Sequence, residues 1–317
     1  GLNEDVGDEI RVWAGDPSYQ NDRIRILTAT NQRINLMEMF GWYEGKFVIQ
    51  LFNDGELQDE RIVKLEPGTP IKINPKETTA PSSNTPEGMV LIPAGSFDFM
   101  AENTDQFIPY PDTREPVSIE IQSFYMDKYP VTNAQYLEFL TSSGYHPEDP
   151  VNFLKHWIDG KIPEGLEDHP VVFVSPDDAK AYAVWAGKRL PTEVEWQYAA
   201  GGSKGYKWPW GNEFDSLKCN YATGLTTPVS QFTKGKSPFG VQDLVGNVWQ
   251  LTSDTYFNGT YYFVIMKGGS CYRPTSSWWY VKGGPQAINW HQQLLLVSPS
   301  FDRNATVGFR CVKDIMP

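Results

Sequence analysis

The first pattern in the chain is a residue-by-residue alternation of apolar and polar positions. It runs through Glu9-Ile10-Arg11-Val12-Trp13, Arg23-Ile24-Arg25-Ile26-Leu27 and Arg33-Ile34-Asn35-Leu36-Met37. A period of two is that of a strand with one wet face. Lys46-Phe47-Val48-Ile49-Gln50-Leu51-Phe52 runs into Asn53-Asp54-Gly55, residues that tolerate positive φ, so a hairpin is expected there. Segments 61–65 and 70–73 complete about six strands, and residues 1–74 read as a small all-β, sandwich-like domain. Residues 75–87 are rich in Pro, Ser and Thr without an apolar anchor, and read as a linker to a second domain over 88–317.

The second domain opens with strands at Met89-Val90-Leu91-Ile92, 117–121 and 124–127, after which the period lengthens. Tyr136, Phe139 and Leu140 share one face of a helix expected over 133–142, with Thr132 as cap and Gly144 past the end. A second helix is expected over 176–187 behind Ser175. A third starts at Thr192, with Glu195 at the capping-box position, and runs to Ala200. Beyond residue 201 the chain is loop-rich and aromatic.

Composition narrows the function. With 40% hydrophobic and 21% charged residues the chain folds, and a net charge of −12 argues against a nucleic-acid partner. No apolar run reaches the ~20 residues of a membrane span. Cys219, Cys271 and Cys311 match no metal spacing. The histidines, His146, His156, His169 and His291, lack metal-ligand spacing as well. Although an iron triad assembled from His156, His169 and the acidic loop between them is conceivable, they read as solvated loop residues.

The stretch with the densest chemistry is Lys267-Gly268-Gly269-Ser270-Cys271-Tyr272-Arg273-Pro274, followed by Trp278-Trp279-Tyr280. Two glycines make a tight turn, and the turn presents a hydroxyl, a thiol, a guanidinium and aromatic rings. Tyr256, Tyr261, Tyr262 and Trp290 lie close by in sequence. Such a density suits either a packed core or a groove where rings stack on sugar faces or apolar peptide side chains.

Motifs along 88–314 resemble those of the formylglycine-generating enzyme (sulfatase-modifying factor) family. They are Met89-Val90-Leu91-Ile92-Pro93-Ala94-Gly95, Tyr129-Pro130-Val131-Thr132-Asn133, Gly187-Lys188-Arg189-Leu190-Pro191-Thr192-Glu193, Gly246-Asn247-Val248-Trp249, Gly268-Gly269-Ser270 and Gly308-Phe309-Arg310-Cys311. The resemblance implies an α+β, elaborated C-type-lectin-like fold with little regular structure. It also implies oxidation of a sulfatase cysteine by O2 with a copper ion held between two thiolates, a soft-ligand pair suited to Cu(I). Those thiols stand at the third and eighth positions after the serine, here Arg273 and Trp278, so copper is not expected.

Ser270 matches the family's active-site serine, and Cys271 is a lone thiol at the wrong offset. They are the catalytic candidates, Cys271 reading first as a buried side chain and second as a thiol activated by Arg273. The family's bridge partner of Cys311 falls at Ala183, so an unpaired thiol is expected. The resemblance further implies a structural calcium ion at Asp243, Gly246, Val248 and Gln250, through two side chains and two carbonyls; the alternative is a hydrogen-bonded turn. The favoured reading is a two-domain pseudoenzyme of the bacterial cell envelope, in the periplasm or on the surface. It would bind a glycan or peptide through Tyr272, Arg273, Trp278, Trp279, Tyr280 and Trp290. The alternatives are an active oxidase with a variant site and a structural part of a cell-surface complex.

Overall fold

The computed structural model describes residues 7–15, 17, 23–29, 33–41, 45–65, 71–102, 113–221, 223–273 and 283–316. The chain divides into two compact units, Gly1–Ile71 with Phe257–Tyr261, and Lys72–Tyr256 with Tyr262–Pro317.

In the first unit, β1 (Glu9–Ala14), β2 (Ile24–Thr28), β3 (Gly45–Asn53) and β4 (Glu56–Leu65) form one antiparallel sheet in the order β2-β1-β3-β4. The β3–β4 hairpin turns where expected, with φ of 49° at Asp54 and 82° at Gly55. The described residues form a single sheet, not a sandwich. Ile10, Val12 and Leu51 are buried on one face and pack with Leu36, Met39 and Phe40 of a short helix, α1 (Leu36–Phe40). That helix corrects the strand expected at 33–37. Asn35 caps it, its side-chain oxygen accepting from Glu38 N at 3.3 Å and its carbonyl from Met39 N at 3.2 Å.

A two-residue strand, β5 (Ile71–Lys72), follows. The segment read as a linker is pinned to the second unit by specific bonds. Lys76 pairs with Glu195 at 2.6 Å, Thr79 N donates to Asp314 at 2.6 Å, and Ser82 bridges to Ile315. A polar, proline-rich composition marks backbone that makes no core contacts; it does not show that the backbone is loose.

The rest of the second unit is mixed α/β, mostly short sheets. β6 (Met89–Ile92), β9 (Phe124–Asp127) and β14 (Val312–Asp314) make one sheet in the order β14-β9-β6, while β7 (Gly95–Ala101) and β8 (Thr113–Ile121) make a hairpin. β10 (Trp249–Phe257), β11 (Tyr262–Lys267), β12 (His291–Leu295) and β13 (Val307–Phe309) make the third in the order β12-β11-β10-β13, with β10 and β13 parallel.

All three expected helices form, α2 (Asn133–Ser143), α3 (Pro176–Trp185) and α4 (Glu193–Gly201), each behind a complete capping box. A fourth, α5 (Pro299–Asp302), is a single turn. Tyr136, Phe139 and Tyr182 of α2 and α3 pack with Trp249, Leu251 and Phe309. Trp196 and Tyr198 of α4 pack with Phe97, Phe99 and Leu244. Successive β-strand residues point to opposite faces. On β10–β12, therefore, one face carries the apolar Trp249, Leu251, Val264 and Met266, and the other carries Gln250, Asp254, Lys267 and His291.

Candidate functional site

Lys267 ends β11, and the glycine turn follows at once. Gly268 and Gly269 sit at φ of 89° and 77°, a region costly for side chains. Space forbids one as well: a Cβ on Gly268 would lie 2.2 Å from Leu244 O, and one on Gly269 the same distance from Gly284 O. Backbone bonds clamp the turn from two sides. Gly246 N and Gln286 N donate to Gly268 O at 3.0 and 3.1 Å, and Cys271 N donates to Asn247 O at 2.9 Å.

The turn lies between two cavities of the second unit. Ser270 and Tyr272 line the smaller, about 270 Å³, together with Trp249 and Gly283. Arg273 leaves in the other direction and lines the larger, about 710 Å³, with Trp290. The turn thus divides the expected ligand residues. Trp278, Trp279 and Tyr280 lie outside the described residues.

Arg273 does not face Cys271. Its Nη1 donates to the Tyr221 hydroxyl at 3.0 Å, and its guanidinium carbon stands 4.9 Å from the centre of that ring. The aromatic run continues along the wall, Tyr221 to Phe214 at 5.5 Å and Phe214 to Trp208 at 4.8 Å between ring centres. Sequence reading, concentrated on rings near the turn, missed Tyr221 and Trp208 because their loops come close only in the fold.

Cys271 is buried, and burial pushes its thiol up to about 11. Burial of this kind accords with the first reading of Cys271, a buried side chain, and speaks against the activated thiol. Cys219 is pushed up to about 12 by burial, and burial raises Cys311 as well. All three are free, and Cys311 packs in the same cluster as Ala183. Ser270 is 3% exposed; its hydroxyl oxygen accepts from Tyr272 N at 3.4 Å. Among the described residues no side-chain base bonds it.

The loop with the calcium-like pattern is tightly bonded. Asn247 donates to Asp243 Oδ2 at 2.8 Å and accepts from Thr227 N at 3.0 Å. Gln250 Nε2 donates to the carbonyls of Asp243 and Leu244 at 2.9 and 3.1 Å. Its Oε1 accepts from Trp196 Nε1 at 2.8 Å and from Arg310 Nε at 2.7 Å. Both lone pairs of that oxygen are engaged by buried donors, so the Gln250 side chain does not fit the part of a calcium ligand.

His146 is exposed, as expected, whereas the other three histidines are partly or fully buried. His156 Nε2 lies 2.8 Å from Asn133 Oδ1, its ring stacks on Phe173 at 5.8 Å, and burial lowers it to about 4. His169 Nδ1 lies 2.9 Å from Thr226 Oγ1, apart from His156 and its partners.

His291 belongs to a buried charge cluster that no sequence motif announced. Glu193 Oε1 bonds His291 Nδ1 and accepts from Lys267 Nζ at 3.2 Å. Burial acts to raise Glu193, but His291 and Lys267 outweigh it and hold the carboxylate at about 2. For Lys267 burial wins over the carboxylates of Glu193 and Asp254, and the ammonium is held below its ordinary range. Lys267 also bonds Gln197 Oε1 at 3.3 Å, while Gln197 Nε2 donates to Met100 O at 3.1 Å. Gln197 lines the larger cavity, so the cluster fixes the amide that forms part of that cavity's wall.

Over 53–57% of its length the chain is 34% identical to the formylglycine-generating enzyme of Thermomonospora curvata and 31% identical to the inactive C-alpha-formylglycine-generating enzyme 2 of Bos taurus. It covers 71% and 75% of those two proteins, and as little as 34% of other curated relatives. The crystal structure of CarF superposes with a TM-score of 0.52 at 20% identity, over 73% of this chain and 99% of that one, and shows likeness of fold alone. Residues 75–315 match the sulfatase-modifying factor enzyme 1-like domain. The chain therefore belongs to the sulfatase-modifying factor family.

Proposed function

We propose that the second unit binds a ligand, glycan or peptide, without oxidising a cysteine, and that it does so in the cavity of about 710 Å³ beside the glycine turn. One observation carries this reading. Arg273 stands where the family pattern has a copper thiol, and it is turned into that cavity against Tyr221. The nearest thiol, Cys271, is buried, and burial pushes it up to about 11. The turn is kept while its reactive groups are replaced by recognition groups: a guanidinium for anions and rings for apolar or sugar faces. Fold membership alone does not decide activity. The C-type-lectin-like description of the scaffold is part of the same proposal.

The test is co-expression with a cysteine-type sulfatase peptide, followed by mass spectrometry of that peptide. The expected product is unmodified cysteine. Formylglycine that depends on this protein and on copper would sink the proposal.

A further inference from the structure

The sheet of the first unit ends on β4, and among the described residues no strand pairs with the far side of β4. Residues 59–65 run opposite β3 in unbroken register, past the irregularity between Leu51 and Phe52. Glu60 N donates to Asp59 Oδ1 at 2.8 Å, and Glu60 O accepts from Arg61 Nη1 at 3.1 Å. Both groups therefore face away from β3, and in an antiparallel ladder Ile62 and Lys64, at alternate positions, share that direction. Side chains of the strand itself hold places that a neighbouring strand would take. The same three residues share one face of the sheet. All three are exposed, Ile62 by 55%. Glu60 is positioned from behind, since Trp13 Nε1 donates to Gln50 Oε1 at 3.0 Å and Gln50 Nε2 to Glu60 Oε2 at 2.9 Å. Lys64 enters no ion pair among the described residues.

Turned end for end, this order of acid, isoleucine and base is its own complement. We infer that the occupant of the edge is β4 of a second copy of this chain, antiparallel, with Ile62 opposite Ile62 of the partner subunit on a two-fold axis. Glu60 then faces Lys64 of the partner subunit, and Lys64 faces Glu60 of the partner subunit. About six main-chain bonds close between the outward groups of Glu60, Ile62 and Lys64 and their counterparts. Opposed residues must lie on the same face, which limits the other registers. The two nearest set Arg61 against itself or Lys64 against Ile62, and a further one sets Glu60 against itself; like charges directly opposite are unfavourable. On the other face Asp59 and Arg61 already pair within the strand at 2.8 Å. Exposed ion pairs add little strength. Here they choose the partner and the register, while the main-chain bonds and the Ile62 contact supply the adhesion.

The experiment is sedimentation-velocity ultracentrifugation of the full chain between roughly 5 and 500 μM, the range suited to a small interface. A reversible monomer–dimer equilibrium is expected. Glu60→Lys and Lys64→Glu, each alone, set like charges against each other twice and should weaken the dimer about tenfold or more. Mixed in equal amounts, the two variants should recover wild-type association as a heterodimer, because each then meets the opposite charge at both positions. That recovery also shows that neither variant has lost its fold. Ile62→Pro removes an N–H that faces away from β3, so the sheet keeps its own bonds and the dimer should disappear. A monomer at every concentration would overturn the inference. So would a dimer indifferent to these substitutions, which would assemble through another surface, or a mixture that associates no better than its components.

Discussion

Arg310 and Gln250 form a buried amide–guanidinium contact at 2.7 Å, and Trp196 donates to the same amide oxygen. Arg310 also reaches the carbonyls of Gln242 and Asp243 at 2.8 Å, so one guanidinium gathers the loop before β10 against the family's Gly-Phe-Arg-Cys strand. Both side chains are fully buried. Gln250→Ala would strand two buried donors, with an expected cost of about 2–5 kcal/mol. Urea unfolding measures it, and a loss below about 1 kcal/mol would show that the contact is dispensable.

The same saturation bears on calcium. With Gln250 engaged by Trp196 and Arg310, the loop is expected to hold its shape without a cation, and EDTA should leave the melting temperature unchanged. A drop on chelation, abolished in Asp243→Ala, would mean that the four positions do gather an ion and that the Gln250 amide rearranges around it.

Three buried thiols should behave alike. Iodoacetamide at pH 8 is expected to leave Cys219, Cys271 and Cys311 unlabelled in the native protein and to label all three in denaturant, because burial raises each thiol. Peptide mapping reads the outcome. Rapid native labelling confined to Cys271 would restore the case for a reactive group at the turn.

Acid should attack the molecule through α4. Glu193 and Glu195 are both held at about 2 against an ordinary 4.5; burial opposes this, but the pairing of Glu193 with His291 and Lys267, and of Glu195 with Arg189, outweighs it. A carboxylate lowered in the folded state contributes stability that is complete above its unfolded value. That stability drains away as pH falls from about 4.5 towards 2. The contribution is on the order of 3 kcal/mol for each group. Urea midpoints between pH 6 and 2.5 should fall steeply, and Glu193→Gln should flatten that limb while lowering stability at pH 7. An unchanged slope in the variant would show that Glu193 is not among the groups responsible.

Asp314 ties the segment before β6 to the body of the second unit. It accepts from Arg189 Nη2 at 2.7 Å and from Thr79 N at 2.6 Å. Asp314→Ala should cost about 2–3 kcal/mol and speed amide exchange at Thr79 and Ser82 well beyond the rest of the chain. Uniform exchange across the unit would argue that the segment is held by other means.

Local signals were legible where a short stretch contains all the partners. Thr132 with Gln135, Ser175 with Asp178 and Thr192 with Glu195 each close their own capping box, so three helices could be placed from the sequence. Asn35 ahead of Glu38 carries a similar signal, but the alternation around it points to a strand and masks the cap. The site was legible at the glycine turn and at Arg273, where the family pattern fixes positions. Tyr221, Trp208, Asp98 and Glu102 reach the cavity from other segments, and no spacing rule links them. The Glu193–Lys267–His291 cluster was hidden for the same reason, since its bonds span 74 and 98 residues.

The two glycines of the turn have a consequence for how related chains are recognised. Their freedom from side chains is demanded by Leu244 and Gly284 pressing on the backbone, a requirement of assembly that persists whether or not any electron is ever transferred. A lineage that abandons oxidation keeps these glycines under the same constraint as one that retains it. Counting Gly-Gly-Ser matches in genomes therefore measures how often the scaffold is inherited. Only the residues at the third and eighth positions after the serine, free to drift once the chemistry is gone, report whether the scaffold still works as an oxidase.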